Sequence, residues 1–260
     1  MCKKSAMGLR FLKQPFIPEK QVKLMLIDGS TPYPILEKLS SLGISLILTE
    51  KCTSVQESIS YHPDIQLHPL GSNKIAVCPE SFKTFSKKLL PYGFKIICGT
   101  NPLRSNYPDD IAYNVARIGK ICFHNFKYTA PIIRSYFEDN RLVMLNVKQG
   151  YSKCSIAILN KSAIITSDKG IHETAFKYGI DSLLISPGNI TLKDQSYGFI
   201  GGCTGLLSPD ILAVTGSLEN HPDCKKIINH AKKYSIEILP LSKDIPIDVG
   251  SLIPLMEESI

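Results

Sequence analysis

The 260-residue sequence has no apolar run long enough to cross a membrane. Its first twenty residues also lack the continuous apolar core of a secretion signal, so Met1 to Lys20, with Lys3, Lys4 and Arg10, reads as a leading arm within residues 1–21. No low-complexity tract and no interdomain linker interrupts the pattern, which predicts one globular unit over residues 1–260. The eight cysteines include no CxxC pair. The nearest ligand-like spacings, His62 with His68 and His221 with Cys224, have no second pair at a zinc-site distance, so no metal and no cofactor is expected. Cys78, Cys98, Cys122 and Cys154 sit in or beside apolar runs and read as buried free thiols, which implies a reducing, cytoplasmic setting. An arginine-rich stripe is missing too. The net charge of +7, from 30 Lys and Arg against 23 Asp and Glu, is spread over helix faces such as Lys83, Lys87, Lys88 and Lys225, Lys226, Lys232, Lys233. That distribution suits a solvated exterior better than a nucleic-acid surface.

What the sequence does contain is a unit that recurs five times: strand, tight turn, strand, helix, strand. In the second copy Asp64 to Leu70 alternates as a strand, Gly71-Ser72-Asn73-Lys74 turns, and Ile75 to Cys78 is a short apolar strand. Phe82, Phe85, Leu89 and Leu90 then recur at helical spacing, Gly93 stops the helix, and Phe94 to Cys98 closes the copy. The third copy runs from Asp110 through Ile121-Cys122-Phe123 and a helix near 130–139 to Leu142–Leu145. The fourth uses Ser155–Leu159, Ala163–Ile165, a helix over Ile171–Tyr178 and Ser182–Ile185; the fifth uses Ile200–Leu207, Ile211–Val214, a helix over Cys224–Tyr234 and Ile236–Leu239.

The first copy lacks its leading strand. It has only Lys23–Ile27, a helix over Ile35–Leu42, and Ile44–Leu48 after Gly43, while a surplus strand, Asp248 to Leu255, follows the fifth copy. The simplest closure lets that C-terminal strand complete the N-terminal unit, which predicts an α/β propeller with five-fold pseudosymmetry. A helix in every copy argues against all-strand blades, and the exchanged strand argues against an open solenoid.

In such a ring the starts of the first strands converge on the axis, and here they are polar. They carry His62-Pro63-Asp64, His68 and Asn73; Asp109, Asp110, Asn114 and Arg117; Tyr151, Lys153 and Cys154; Gly201-Gly202-Cys203-Thr204-Gly205; and Asp248, Gly250 and Ser251. Carboxylates beside a glycine-lined wall suit a small cationic or amino-acid-like ligand, because carboxylates pair bidentately with guanidinium groups and glycines admit close backbone approach. The expected ligand-binding set is Asp64, Asp110, Asn114, Tyr151, Lys153, Gly201, Gly202, Asp248 and Ser251.

From about Val22 to Leu255 this organisation resembles the pentein, or guanidino-group-modifying, superfamily. His62-Pro63-Asp64-Ile65-Gln66-Leu67 looks like that family's Pro-Asp segment, whose aspartate helps hold a guanidinium, and Pro108-Asp109-Asp110-Ile111 looks like its Gly-Gly-Asp segment. The Gly150–Ser155 and Gly198–Gly202 segments bring the chain closer to an uncharacterised bacterial group within the fold. The resemblance implies either guanidino chemistry or, as in the ribosome anti-association factors of this fold, an RNA-interaction role.

Two departures weigh against the usual reaction. The enzymes keep a cysteine nucleophile on the closing strand, which here reads Asp248-Val249-Gly250-Ser251-Leu252-Ile253-Pro254-Leu255, and a histidine where Tyr151 stands. Ser251 is a poor substitute, since a hydroxyl needs a base. A relocated thiol chemistry would use Cys203, in a glycine-rich segment at the start of a central strand, or Cys154, with His68 as base oriented by Asp64. The plainer alternatives are a small buried Cys203 filling a tight strand and a His68 bonded to a neighbouring carbonyl. In Asp168–Glu173, Asp168 is expected to cap a helix.

Overall fold

The computed structural model describes residues 8–259, so the first seven residues of the expected leading arm lie outside the described residues. The first unit contains β1 (Leu9–Phe11), β2 (Val22–Ile27), α1 (Tyr33–Ser41) and β3 (Ser45–Leu48). The second contains the one-turn helix α2 (Pro63–Gln66), β4 (Leu67–Gly71), β5 (Lys74–Val77), α3 (Phe82–Leu89) and β6 (Lys95–Cys98). The third has β7 (Ala116–Ile118), β8 (Ile121–His124), α4 (Pro131–Asp139) and β9 (Val143–Asn146). The fourth has the one-turn helix α5 (Ser152–Ser155), β10 (Ile156–Asn160), β11 (Ala163–Thr166), α6 (Lys169–Lys177) and β12 (Asp181–Leu184). The fifth has β13 (Thr204–Ser208), β14 (Ile211–Val214), α7 (Cys224–Lys232) and β15 (Glu237–Pro240), and β16 (Ile253–Glu258) ends the series.

Within each unit the first two strands pair antiparallel and the helix crosses over to a third strand parallel to the second, as in β4-β5-β6 and β10-β11-β12. The first sheet has the order β1-β16-β2-β3, so the C-terminal strand supplies what the first unit lacks. The arm is more than a leader. Its Leu9–Phe11 segment pairs antiparallel with the outer side of β16, in register Leu9 with Glu258 and Phe11 with Met256.

The helices show the repeat in side chains. Each long helix buries one pair at i, i+4: Ile35 and Leu39, Phe85 and Leu89, Ile133 and Phe137, Ile171 and Ala175, Ile227 and Ala231. Residues four apart share a helix face, so one such pair suffices to seat a two-turn helix on its sheet. Asp168 caps α6, its carboxylate accepting from the Ile171 amide at 2.8 Å. Past the helical segments the chain turns through a left-handed residue, Gly43, Gly93 and Gly179 in three units but Arg141 and Ser235 in the other two.

The first strands of four units share one core, with Leu67, Ala116, Ile156, Ile158, Ile253 and Leu255 all buried within it, while Leu206 and Leu207 of β13 pack in the neighbouring cores. Hydrogen bonds join the units around the axis, three of them at the strand entrances and two at the far ends of the first strands. Lys153 N donates to Asn114 O, Gly202 N to Cys154 O, and Ser251 N to Gly202 O; Arg117 Nη1 donates to Leu70 O and Ser72 N to Leu12 O. Each contact links one unit to the next, and together they return to the first.

The main departures from the expected elements fall at these entrances. Asp64 to Gln66 form a helical turn, because Pro63 at its first position presets the helical φ, and the strand begins only at Leu67. The closing strand starts at Ile253 and not at Asp248, since Gly250 (φ 64°) and Ser251 (φ 76°) are left-handed and cannot lie in a strand. Residues 110–115 and 200–203 are likewise turns that precede β7 and β13. Every entrance is therefore irregular backbone presenting polar side chains.

Candidate functional site

Asp64 stands on the turn of α2, buried, with its Oδ2 accepting hydrogen bonds from Cys154 Sγ at 3.0 Å and Ser251 Oγ at 2.7 Å. The Ser251 hydroxyl in turn accepts from Lys153 Nζ at 2.8 Å, with Gly201 O another acceptor 3.0 Å away. Lysine, serine and aspartate thus form a buried relay in which a cation and an anion meet through one hydroxyl. Burial pushes the Asp64 carboxyl up to about 6 and pulls the Lys153 ammonium down, each opposed by the charge of the other. Lys153 Nζ also lies 5.1 Å from the centre of the Phe16 ring.

Asn114 organises the next turn. Its Oδ1 accepts from the amides of Lys153 (2.8 Å) and Cys154 (3.2 Å), the unpaired donors that begin α5, while Nδ2 donates to Cys154 Sγ at 3.3 Å. Asp248 is held by the approach to the fifth unit and by its own segment: Oδ2 accepts from Phe199 N at 2.8 Å and Oδ1 from Gly250 N at 3.0 Å. Glycine is required against it, because a Cβ on Gly202 would lie 1.9 Å from Asp248 Oδ1. Gly250 does the same for His62, whose Cβ would be 2.4 Å from a Cβ placed there.

Above this floor opens a cavity of about 320 Å³. His62, Cys154 and Asp248 reach it from below, and Tyr151, Tyr197, Phe199 and Leu192 wall it. A smaller cavity of about 160 Å³ shares His62, Asp248 and Leu192 and adds Asp28, whose carboxyl burial pushes up. A larger concavity, about 580 Å³, lies between α7 and β15 and contains none of these groups. We place the site at the 320 Å³ cavity because the perturbed ionisable groups converge there.

The expected ligand set divides into layers. Tyr151 and Asp248 line the cavity, whereas Asp64, Asn114, Lys153, Gly201, Gly202 and Ser251 form the scaffold beneath it. Asp110 stands behind the wall: its Oδ2 accepts from Tyr151 Oη at 2.6 Å, and burial pushes its carboxyl up. Cys203 and His68 are not brought together. Cys203 Sγ bonds to Ile200 O inside the apolar core of the fourth and fifth units, and burial pushes its thiol well up. His68 packs edge-on between Phe16 and Phe137, where burial and the Arg117 cation hold it well below the usual histidine range. Their strand positions share polarity in sequence but point into different cores. The histidine that does reach Cys154 is His62, and its place directly before Pro63-Asp64 was the available signal. Phe199 and Tyr197 were missed, since isolated aromatics in a loop carry no spacing pattern.

Burial also pushes the Cys154 thiol well above its ordinary range, helped by the Asp64 and Asp248 charges. The site therefore presents a neutral thiol beside His62 and Asp248 at one opening.

The same fold occurs in solved structures of enzymes. An inosamine-phosphate amidinotransferase from Streptomyces griseus is similar over 90% of this chain and 92% of its own, with 11% identity and a TM-score of 0.54. A DDAH from Pseudomonas aeruginosa in complex with citrulline is similar over 92% and 100%, with 8% identity and a TM-score of 0.55. A C. jejuni agmatine deiminase with substrate bound is similar over 95% and 96%, again with 8% identity and a TM-score of 0.55. All three are pentein structures, so the pentein fold is shared at an identity that speaks for the fold alone. No curated protein sequence matches the chain. A family model matches residues 26–253, nearly all of the ring from β2 to the start of β16, and the chain accordingly belongs to that family, a family of unknown function (DUF6873) with the pentein fold.

Proposed function

We propose that this protein binds a small ligand bearing an amine or guanidino group in the 320 Å³ cavity. The observation that carries the reading is one carboxylate, Asp248, at the base of an opening walled by Tyr151, Tyr197 and Phe199. A cation is attracted both to a carboxylate and to aromatic faces, and the cavity volume falls in the range that holds a small polar molecule. The structural neighbours support the class, being an amidinotransferase, a citrulline complex and an agmatine deiminase. Calorimetric titration with agmatine, arginine and methylarginines tests it. Binding to the native chain that is lost in Asp248→Asn is the expected result; no heat with any of them refutes the reading.

A catalytic reading is favoured by Cys154 alone, because its Sγ shares the cavity with His62. Burial above all holds the thiol protonated, and a bound cation would offset the Asp64 and Asp248 charges that add to it. The thiolate could then attack the amidino carbon, forming a C–S bond and breaking a C–N bond as the amine leaves with the thiol's proton. Mass spectrometry after incubation with agmatine would show a covalent adduct on Cys154 that Cys154→Ser abolishes; unchanged mass and unchanged substrate would exclude it.

A further inference from the structure

We infer that His62, Cys154 and Asp248 form a binding site for a transition-metal ion of the Zn²⁺ class, with an open position facing the cavity. Each residue offers one ligating atom, and the three atoms lie within 4.8 Å of one another. They come from three different units, at the entrances to β4, β10 and β16, and all three residues are buried. A nitrogen, a sulfur and an oxygen donor together suit borderline-soft Zn²⁺, and three protein ligands leave a fourth position for water or substrate.

Two observations point to a ligand at this position. His62 Nδ1 is buried with no hydrogen-bond partner, 3.9 Å from Asp248 Oδ1. Two ligand arms of about 2.0–2.1 Å in a tetrahedral arrangement place their donor atoms about 3.3 Å apart, and a sulfur arm of about 2.3 Å sets its own spacings near 3.5 Å, so seating the ion closes the nitrogen–oxygen pair by roughly half an ångström and draws the sulfur in by up to about an ångström. The second observation is that the outer contacts are already built. Asp248 is oriented by the Phe199 and Gly250 amides, and Asn114 Nδ2 is positioned to donate to Cys154 Sγ. Such second-sphere bonds fix ligand geometry in metal centres.

Ion uptake would replace the proton on Cys154 Sγ with a metal–sulfur bond, and the proton would leave to solvent through the cavity that Cys154 lines, so Asp64 keeps its charge opposite Lys153. The Zn²⁺ charge is then balanced by the Cys154 thiolate and the Asp248 carboxylate. The inference stands apart from the amine-binding reading, since a metal on Asp248 would compete with a cationic ligand for the same carboxylate.

The test uses the full chain with Cys2 and the two accessible thiols among the described residues, Cys98 and Cys224, replaced by serine, titrated with Co²⁺ and followed by absorption. Saturation at one Co²⁺ per chain with a thiolate charge-transfer band, reversed by Zn²⁺, is expected. Cys154→Ser abolishes that band, and His62→Gln and Asp248→Asn each weaken binding by more than the roughly 10–100-fold that outer-sphere changes cost. X-ray absorption at the zinc edge of the otherwise native chain should show one sulfur at about 2.3 Å with nitrogen or oxygen neighbours, and it needs no site variant to fold. No saturable binding, a charge-transfer band that survives Cys154→Ser, or a shell with no sulfur or several would overturn the inference. Agmatine binding retained in Cys154→Ser, with Co²⁺ binding absent from the native chain, would remove the metal and leave the ligand reading intact.

Discussion

Replacing Lys153 by methionine removes the cation of the buried relay while keeping the length of its stem. Lys153 and Asp64 are both buried, and the ammonium reaches the carboxylate only through Ser251 Oγ, at 2.8 and 2.7 Å. Removing one member of such a pair leaves a charge with no counter-ion, which costs about 3–5 kcal/mol. For a chain of this size, with roughly 2–4 °C of Tm per kcal/mol, the loss is on the order of 10 °C. Asp64→Asn alone leaves the ammonium unpaired in turn. In the double variant neither charge remains, so its cost should fall short of the sum of the two single costs by about 1–3 kcal/mol. Urea unfolding of the four proteins supplies the cycle. Additive single costs, or a Lys153→Met cost under about 1 kcal/mol, would show that the ammonium and carboxylate do not depend on each other and would refute the relay.

Three further outcomes follow from the same geometry. His124 bonds through Nε2 to Gly150 O at 2.8 Å and through Nδ1 to Thr129 Oγ1; a carbonyl only accepts, so Nε2 carries the proton and Nδ1 takes the threonine's. Burial holds this histidine at about 4, below its unfolded value near 6.5. The unfolded state therefore binds more protons between those values, and stability present above pH 6.5 is lost as pH falls, by about 2 kcal/mol at pH 5; chemical denaturation at pH 7 and 5 should show this, with a flatter profile in His124→Asn. Gly202→Ala drives a methyl into Asp248 Oδ1 and should abolish agmatine binding by calorimetry while Cys203→Ala leaves it unchanged. Ser235→Gly and Arg141→Gly, at left-handed positions with φ near 58° and 53°, should each raise stability by about 1 kcal/mol, visible as a higher urea midpoint; a lower midpoint in both would count against the strain.

The five-fold repeat was legible because each helix writes its buried i, i+4 pair into sequence, as Phe85 with Leu89 and Ile133 with Phe137 do. The surplus strand at the C-terminus was legible as well, through the unit it completes. The strand boundaries were not, because Asp64 to Gln66 and Asp248 to Leu252 have the residue types of strands and are bent by Pro63 and by the left-handed Gly250 and Ser251. Much of the polar set converges on the axis, with Asp64, Asn114, Lys153, Asp248 and Ser251 in one hydrogen-bonded neighbourhood. Which thiol faces the opening was not readable. Cys154 and Cys203 both precede first strands, and only the turn of α5, held by Asn114, aims the former at the cavity. His62, Cys154 and Asp248 are far apart along the chain, so no local spacing could announce their meeting.

The insertion of β16 between β1 and β2 leaves Gly8 and Ser259 side by side, with the Ser259 amide bonded to Gly8 O at 2.8 Å. A short peptide could therefore weld one end of the described chain to the other with little change in loop entropy. The order of units would become circular in covalent terms as well as in space, and the polypeptide could be cut open at an exposed loop such as that around Pro187-Gly188-Asn189. A permutant opened there would begin with the fifth unit and end with the fourth. In it the closing strand would become an internal segment, joined through the peptide to the first unit that it now completes from a distance.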